Sequence, residues 1–259
     1  MKKIYGLLGR NINYSFSPLL HNHFFNKYKI SGTYELFNRE PENIEEIIHK
    51  LKNKEIAGIN VTIPYKEEVI KYLDIVTPEA KAIGAVNTVV FENNKLIGYN
   101  TDYFGFLESV KKMNLHCENK EIYILGTGGA SKAVLKVIED LKGIPILVSR
   151  TPDKTKNSFP CEIIDYELLK SRKGYLIINC TPVGTYPEID KCPIPTKLLE
   201  NFDFAIDLIY NPRVTKFLKH CKKGMNGFYM LVAQGIKAQE IWQKKTFNLD
   251  DIYEELEKK

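Results

Sequence analysis

Residues 121–132 read Glu-Ile-Tyr-Ile-Leu-Gly-Thr-Gly-Gly-Ala-Ser-Lys, an apolar run of β type followed by a glycine turn and a helix-forming stretch. Glycine permits a tight turn and lets the backbone approach a pyrophosphate closely, because no Cβ intervenes. The start of the following helix offers unpaired N–H groups and the positive end of the helix dipole. The segment therefore predicts a dinucleotide site with contacts from Gly126, Thr127, Gly128, Gly129 and Ala130.

The same turn excludes one other class of phosphate site. A nucleoside-triphosphatase loop ends in Gly-Lys-Ser/Thr, whereas Lys132 here follows Ser131 and precedes Ala133. Ser131 also stands where a strict G-x-G-x-x-G pattern has its third glycine, so an ordinary glycine turn is the alternative interpretation.

The end of the next apolar run, residues 144–148, bears on the choice of dinucleotide. An NAD site of this kind carries an acidic residue there for the ribose 2′-hydroxyl, but the chain continues Ser149-Arg150-Thr151. Arg150, with Lys154 one turn later, suits a 2′-phosphate instead, since guanidinium presents a planar fork of donors. This pattern favours NADP over NAD; a solvated surface arginine is the alternative.

Length and composition limit the class of protein. A chain of 259 residues with 44% hydrophobic content is expected to form two domains. Its net charge of +5 is spread over interspersed residues of both signs, which argues against a nucleic-acid-binding surface. The five cysteines lack C-x-x-C spacing, so neither a disulfide framework nor a zinc site is indicated, and the histidines form no obvious metal-ligand set.

The compartment is predicted from what the chain lacks. The apolar run after Met1-Lys2-Lys3 is broken by Gly6, Gly9 and Arg10, so it does not match a signal peptide, and no long apolar span follows. We therefore expect a cytoplasmic protein without membrane contact.

The order of elements predicts an α/β fold. Before the glycine turn, β-type runs at 4–8, 33–37, 59–63 and 86–91 alternate with helical patterns, including a helix at 44–51, and Asn93-Asn94 indicates a hairpin to a strand at 96–99. A helix from Tyr103 leads to the apolar strand that precedes the glycine turn. Strands at 144–148, 175–179 and 204–208 are expected to join that strand in a parallel sheet with right-handed crossovers. Helices at 230–244 and 249–257 close the chain.

Several polar clusters lie in predicted loops and at predicted strand ends. They are Ser15-Phe-Ser17-Pro18, Asn60-Val-Thr62-Ile-Pro64-Tyr-Lys66, Gly84-Ala-Val-Asn87-Thr88, Asn100-Thr101-Asp102 and Met230-Leu-Val-Ala-Gln234. Together with the glycine turn, and in this order from about residue 4 to about residue 235, they closely resemble the shikimate dehydrogenase family.

The resemblance implies a fold and an activity. It implies an N-terminal α/β substrate domain with a mainly parallel sheet, residues 1–101 completed by helices at about 231–259, and a Rossmann-like NADP-binding domain, residues 102–230, with the active-site cleft between them. It implies the reversible reduction of 3-dehydroshikimate to shikimate by NADPH, a step in aromatic amino acid biosynthesis. The implied partners are this small molecule and the cofactor, and the implied assembly is a monomer or a homodimer.

The resemblance also implies roles for individual residues. Lys66 would give the proton to the forming alkoxide while Asp102 orients it, and Ser15 and Ser17 would bind the substrate carboxylate. A polyhydroxylated ring needs many neutral hydrogen-bond partners. The substrate-binding residues would be Ser15, Ser17, Asn60, Thr62, Asn87, Thr101, Tyr210 and Gln234. The further cofactor contacts would be Ser149, Arg150, Thr151, Lys154, Thr181, Leu208 and Gly227.

Two of these residues also have a purely structural interpretation. Ser17 before Pro18 suits a helix N-cap with proline at the first helical position, and Asp102 could cap a helix that begins at Tyr103. The chain also departs from the family pattern in three places: Ser149 replaces a common asparagine, Thr185 replaces a frequent methionine, and Tyr229 stands where a second glycine is common near the nicotinamide.

Three other functions remain open at this point. A quinate or dual quinate/shikimate dehydrogenase would bind a ring with one more hydroxyl and could use NAD. A non-catalytic NADP-binding sensor would keep the glycine turn, although Lys66 and Asp102 are both present. Another Rossmann enzyme with an amino acid-like or folate-like substrate would share the turn alone.

Overall fold

The computed structural model describes residues 2–155 and 158–258, and the chain divides into two compact units. The first comprises Met1–Phe104 and Val232–Lys259, and the second comprises Gly105–Leu231. These bounds lie three residues and one residue beyond the domain bounds expected from the sequence, because a helix runs through each boundary. Each unit has its own sheet, which confirms the predicted two-domain α/β fold.

The sheet of the first unit has six strands in the order β2-β1-β3-β5-β6-β4. Neighbouring strands are parallel except where β5 meets β3 and β6. The sheet is therefore mainly parallel, as predicted. Its strands are β1 (Lys3–Gly9), β2 (Gly32–Asn38), β3 (Gly58–Val61), β4 (Ile75–Val76), β5 (Thr88–Glu92) and β6 (Lys95–Tyr99).

Helices of the first unit follow the predicted apolar periodicity. In the helix Ile44–Lys52, the residues Ile44, Ile47, Ile48 and Leu51 share one face and are all buried in the core. The helices wholly within this unit are α1 (Ser17–Lys27), α2 (Ile44–Lys52), α3 (Pro78–Ile83) and α10 (Leu249–Glu257). Two more, α4 (Thr101–Lys112) and α9 (Phe228–Gln243), cross the unit boundaries.

The predicted hairpin is confirmed. Asn93 and Asn94 have φ values of 50° and 60°, and they connect Glu92 directly to its partner Lys95 across the ladder. Asparagine tolerates this left-handed backbone, which matches the twist of a two-residue hairpin loop.

The second unit contains a parallel six-stranded sheet in the order β12-β11-β10-β7-β8-β9. Strands β8 and β9 are added on one side of β7, and β10, β11 and β12 on the other, which is the strand order of a dinucleotide-binding Rossmann sheet. The strands are β7 (Glu121–Leu125), β8 (Ile144–Val148), β9 (Glu162–Ile164), β10 (Gly174–Asn179), β11 (Phe202–Asp207) and β12 (Gly224–Asn226). The helices wholly within this unit are α5 (Gly129–Asp140), α6 (Pro152–Thr155), α7 (Tyr166–Leu169) and α8 (Lys216–Lys219).

Some element bounds differ from the prediction. β3 ends at Val61 rather than at residue 63. Residue 63 precedes Pro64, which has no N–H to donate to a neighbouring strand. Residues 86 and 87 precede β5 rather than belonging to it. The short strands β4, β9 and β12 were not predicted, since two or three residues carry too little periodicity to distinguish them from loops.

The described part of the chain contains neither a membrane-spanning helix nor a cluster of metal ligands. No helix there is long and apolar enough to span a membrane. Likewise, residues 2–155 and 158–258 contain no group of three or more His, Cys, Asp or Glu side chains arranged to hold a metal ion.

Candidate active site

A buried polar network lies beside the antiparallel junction of β3 and β5 in the first unit. Asn60 Nδ2 donates to the Asn87 carbonyl at 3.3 Å and to Thr88 Oγ1 at 3.0 Å. Thr88 Oγ1 in turn donates to Asn87 Oδ1 at 3.1 Å. Thr101, the first residue of α4, donates to the same Oδ1 through its backbone N–H at 2.7 Å. The network brings together Asn60, Asn87 and Thr101, three of the predicted substrate-binding residues.

The orientation of the Asn87 amide follows from this network. A backbone N–H can only donate, so the atom facing Thr101 N must be the amide oxygen. Asn87 Nδ2 then points away, and among the described residues it has no hydrogen-bond partner. Asn87 thus presents a donor fixed in direction, which suits a ligand hydroxyl or carbonyl oxygen.

Tyr34 links the predicted carboxylate-binding serines to Asn60. Its buried hydroxyl donates to Asn60 Oδ1 at 2.7 Å. Burial raises the pKa of Tyr34 well above its usual range, and a hydrogen bond from Ser17 opposes this shift. Ser15 Oγ accepts from the Ser17 backbone N–H at 3.2 Å, and both serines are half-buried at the start of α1.

Lys66 and Asp102 form an ion pair in the same unit. Lys66 Nζ lies 2.6 Å from Asp102 Oδ2, with the two side chains 19% and 14% exposed. Lys66 lies in the turn after β3, where its carbonyl accepts from Val86 N at 2.8 Å, and Asp102 lies in the first turn of α4. The turn after β3 positions Lys66, α4 positions Asp102, and both side chains keep limited access to solvent.

The other predicted substrate contacts are distributed between the two units. The Thr62 hydroxyl is half-buried and has no hydrogen-bond partner in the described part of the chain. Thr101 Oγ1 donates to Gln234 Oε1, on α9, at 3.5 Å. Tyr210, half-buried after β11, belongs to the second unit.

The structural interpretation of two residues as helix caps is wrong. Ser17 is the first residue of α1 rather than its N-cap, which is Phe16 without a side-chain cap. Asp102 lies inside α4, and Asn100 Oδ1 instead accepts from Tyr103 N at 3.2 Å. The Asp102 carboxylate is therefore available to pair with Lys66.

The predicted cofactor residues lie at the carboxyl ends of the parallel strands in the second unit. Leu125, Asn179 and Asp207 end β7, β10 and β11 side by side in the sheet register. Gly126 and Thr181 meet at the point where the strand order reverses, where a Cβ on Gly126 would lie 3.0 Å from Thr181 Cγ2. In open α/β sheets, ligands bind at this edge and at this switch point.

The glycine turn has the form that a pyrophosphate requires. Gly126 has a φ of +97°, which L side chains rarely adopt. Gly128 is the N-cap of α5 and provides no side-chain cap, and a Cβ on Gly128 or Gly129 would meet nothing within 4 Å. The first turn of α5 therefore borders open space, so its N–H groups fit a bound dinucleotide.

The segment after β8 contains the predicted 2′-phosphate residues. Ser149 is buried, and its Oγ accepts from Thr151 N at 3.1 Å, which shapes the turn. Arg150 and Lys154 are exposed, and Arg150 has no ion-pair partner among the residues described. Both cations are free to approach a phosphate.

Gly227 lies against the strand-end segment that contains Leu208. Its N–H donates to the Ile209 carbonyl at 3.0 Å, and a Cβ there would come within 2.0 Å of the Leu208 carbonyl oxygen. Only glycine fits at this approach. Tyr229 is buried two residues later, with Lys112 Nζ 5.3 Å from its ring centroid.

Sequence reasoning missed several residues that position these groups. Tyr34 and Thr88 fix Asn60, and Asn100 caps α4. Asn179 and Asp207 are fully buried at the start of the two segments that contain the predicted cofactor contacts Thr181 and Leu208. For Asn179 and Asp207 there was a signal, since each polar residue ends an otherwise apolar strand. For Tyr34 there was none, because a tyrosine in an alternating strand indicates only a half-buried aromatic.

Comparisons with known proteins identify the family of the chain. Residues 7–89 match the family described as shikimate dehydrogenase substrate binding domain. The chain is 45% identical to Shikimate dehydrogenase (NADP(+)) of Clostridium beijerinckii over 93% of this chain and 92% of the relative.

Solved structures agree as well. A chorismate mutase/shikimate 5-dehydrogenase fusion protein from Clostridium acetobutylicum is 38% identical, with a TM-score of 0.96, covering 100% of this chain and 98% of that one. Shikimate 5-dehydrogenase from Thermus thermophilus in complex with NADP(H) and shikimate is 30% identical, with a TM-score of 0.88, covering 97% of each chain. The chain belongs to the shikimate dehydrogenase family.

Proposed function

We propose that this protein catalyses the reversible NADPH-dependent reduction of 3-dehydroshikimate to shikimate, with Lys66 as proton donor and acceptor and Asp102 as its partner. The observation that carries the proposal is the 2.6 Å contact between Lys66 Nζ and Asp102 Oδ2, in the same unit as the Asn60–Asn87–Thr101 network. The relative from Thermus thermophilus, solved with NADP(H) and shikimate, supports both ligand assignments.

The ion pair suits a proton transfer to an oxygen. Lysine is normally protonated at neutral pH, so Lys66 can give a proton to an alkoxide that forms at the ketone oxygen. Asp102 holds the ammonium in place and accepts a hydrogen bond from the substrate hydroxyl. In the oxidative direction the Lys66 amine takes the proton back from the same hydroxyl.

The polar network suits the substrate ring. Asn87 Nδ2 offers a donor of fixed direction, and the Thr62 hydroxyl has no partner among the described residues. Asn60 already uses Nδ2 on the Asn87 carbonyl and on Thr88, so it binds the ring through a second lone pair on Oδ1. Gln234, Thr101 and Tyr210 add further hydroxyl contacts, and Ser15 with Ser17 binds the carboxylate.

The second unit suits NADP(H), which supplies the hydride when it is bound. The N–H groups at the start of α5 hold the pyrophosphate beside Gly128 and Gly129, and Arg150 with Lys154 holds the 2′-phosphate. Thr181, Leu208 and Gly227 contact the rest of the dinucleotide. Ser149 and Thr151 shape the turn that presents Arg150.

Steady-state kinetics test this proposal against a quinate or NAD-dependent activity. We expect kcat/KM to be highest for shikimate with NADP, lower for shikimate with NAD, and lowest for quinate with NAD. Dominance of quinate with NAD would overturn the choice of substrate. NADPH binding without oxidation of shikimate or quinate would favour a sensor or a Rossmann enzyme with another substrate.

A further inference from the structure

Asp207, the last residue of β11, is a fully buried carboxylate that the proposed chemistry does not use. Its Oδ1 accepts from Asn179 Nδ2 at 3.0 Å and from Ile209 N at 3.1 Å. Its Oδ2 accepts from Thr215 Oγ1 at 2.6 Å. One carboxylate therefore holds groups from two separate segments that follow neighbouring strands.

Asn179 carries this contact into the segment after β10. Its Oδ1 accepts from Thr181 N at 3.0 Å and from Thr181 Oγ1 at 2.7 Å. Its Nδ2, besides donating to Asp207, lies 3.4 Å from the Val183 carbonyl. Since Asp207 accepts from Nδ2, it fixes which way the Asn179 amide faces, and hence where Thr181 is held.

Thr215 and Ile209 extend the contact along the segment after β11. Thr215 is buried, donates to Asp207, and accepts from Leu218 N at 3.2 Å as the N-cap of α8. The Ile209 carbonyl accepts from Gly227 N at 3.0 Å. Leu208 thus lies between Asp207 and Ile209, and the hydrogen bond from Ile209 N to the Asp207 carboxylate holds its backbone in place.

We infer that Asp207 is a positioning residue for the dinucleotide: it fastens residues 179–184 to residues 208–215, and so holds Thr181 and Leu208 in the places from which they contact the cofactor. The inference rests on the proposed function through the assignment of those two contacts. It adds a role for a residue that touches neither ligand.

The surroundings make this carboxylate sensitive to protonation. Among the described residues, the charge of Asp207 acts on the thiols of Cys180, Cys192 and Cys221, and burial raises the pKa of each thiol, so all three are neutral. Burial raises the pKa of Asp207 to about 6, against the opposing effect of its three hydrogen bonds. A proton on the carboxyl would remove its charge, so the hydrogen bonds that it accepts from Thr215, Ile209 and Asn179 would lose their charge assistance and the contact between the two segments would weaken.

The test compares Asp207→Asn with Asp203→Asn, an exposed aspartate on the same strand with only a 3.7 Å ion pair to Lys222. The measurement is the NADPH Kd between pH 5 and pH 8. We expect Asp207→Asn to raise Kd roughly 10-fold at pH 7.5, the loss of about one hydrogen bond to a charged group. The ratio of variant to wild-type Kd should fall towards one at pH 5, because the Asp207 carboxyl of the wild type is then mostly protonated and the side chain at position 207 is neutral in both proteins. Taking the ratio cancels the titration of the NADPH phosphate itself.

Kinetics and hydrogen exchange complete the test. Asp207→Asn should raise KM for NADP more than KM for shikimate, because the segments it holds carry two cofactor contacts, Thr181 and Leu208, and one substrate contact, Tyr210, while Asp203→Asn changes neither. Without any ligand, amide exchange in Asp207→Asn should accelerate at Thr181, Val183 and Ile209, in both segments together. A Kd ratio of one at every pH, or faster exchange in only one segment, would overturn the inference.

Two further comparisons keep the result decisive. If Asp207→Asn does not fold, Thr215→Val removes the donor to Asp207 and should loosen both segments, whereas Thr215→Ser keeps the hydroxyl and should match wild type; identical behaviour of Val and Ser overturns the inference. If the wild-type protein binds NADPH but oxidises no shikimate, the proposed function fails, while the Kd ratio and the exchange rates still decide the role of Asp207.

Discussion

Lys66 and Asp102 lie 36 residues apart in sequence, yet Lys66 Nζ is 2.6 Å from Asp102 Oδ2. The turn after β3 places the lysine, and the first turn of α4 places the aspartate. The contact gives the ammonium a single direction, which a proton donor needs before the reacting oxygen arrives.

Replacing Asp102 removes the partner that orients Lys66. We expect Asp102→Asn to lower kcat for shikimate oxidation by roughly 10² or more, as is typical when a proton-transfer pair is disrupted. Glu108→Gln is the matched control, because Glu108 lies on the same helix and pairs with exposed Lys111 at 2.7 Å. Equal kcat values for the two variants would remove Asp102 from the mechanism.

Arg150 is predicted to select the phosphorylated cofactor. Arg150→Ala should raise KM for NADP by about 10- to 100-fold, the loss of a charge-assisted contact, and leave KM for NAD unchanged. The control is Arg172→Ala. Arg172 donates to Glu162 at 3.0 Å, and Glu162 is the first residue of β9, so this pair does not lie at the carboxyl ends of the strands. Parallel changes in both KM values would show that Arg150 does not recognise the 2′-phosphate.

Two glycines in the second unit should respond differently to alanine. Gly227→Ala places a Cβ 2.0 Å from the Leu208 carbonyl, so the backbone must shift and Tm should fall. Gly128→Ala meets no protein atom within 4 Å and has a φ of −81°, so its Tm should stay unchanged while the NADPH Kd rises, because the methyl occupies the space for the pyrophosphate. Unchanged NADPH binding in Gly128→Ala would argue against that placement.

The pH dependence of stability should contain two opposing contributions. Burial lowers the pKa of His21 to about 3, so the unfolded chain alone takes up this proton as pH falls below about 6.5, and the native state loses stability. Burial raises the pKa of Asp207 to about 6, so between pH 6 and pH 4 the native state takes up a proton that the unfolded chain does not, and gains stability. Each contribution amounts to at most about 1.4 kcal/mol per pH unit.

Urea unfolding of two variants separates these contributions. Between pH 6 and pH 4, His21→Gln should lose less stability on acidification than wild type, and Asp207→Asn should lose more. Slopes that change in the same direction in both variants would contradict the assigned pKa shifts. Asp203→Asn, an exposed change on the strand of Asp207, provides the reference slope.

The fold could be predicted from the sequence where the apolar periodicity or the turn residues gave a clear local pattern. The buried face of α2, the two-asparagine hairpin and the glycine turn before α5 each agree with a local rule that tertiary contacts do not override. The two- and three-residue strands β4, β9 and β12 form because a neighbouring strand pairs with them, and that information is not local.

For the candidate site too, local patterns could be predicted from the sequence, whereas contacts between distant residues could not. The sequence could suggest that Lys66 and Asp102 act together only through the family resemblance, since no local pattern relates them. It could not assign the cap of α4 correctly: both Asn100 and Asp102 are residue types that cap helices, and the structure shows Asn100 at the cap and Asp102 paired with Lys66. The support given by Tyr34 to Asn60 depends on strand register and was likewise outside sequence reasoning.

The central claim is that Lys66 transfers the proton, and kcat of Lys66→Ala for shikimate oxidation with NADP tests it most directly. Lys66→Arg should be equally impaired, because guanidinium keeps the charge but does not give up its proton. Lys71→Ala is the control, an exposed lysine paired with Glu68. We predict that Lys66→Ala loses about 10² to 10⁴ in kcat with a smaller change in the shikimate KM. A kcat equal to that of wild type would contradict the mechanism.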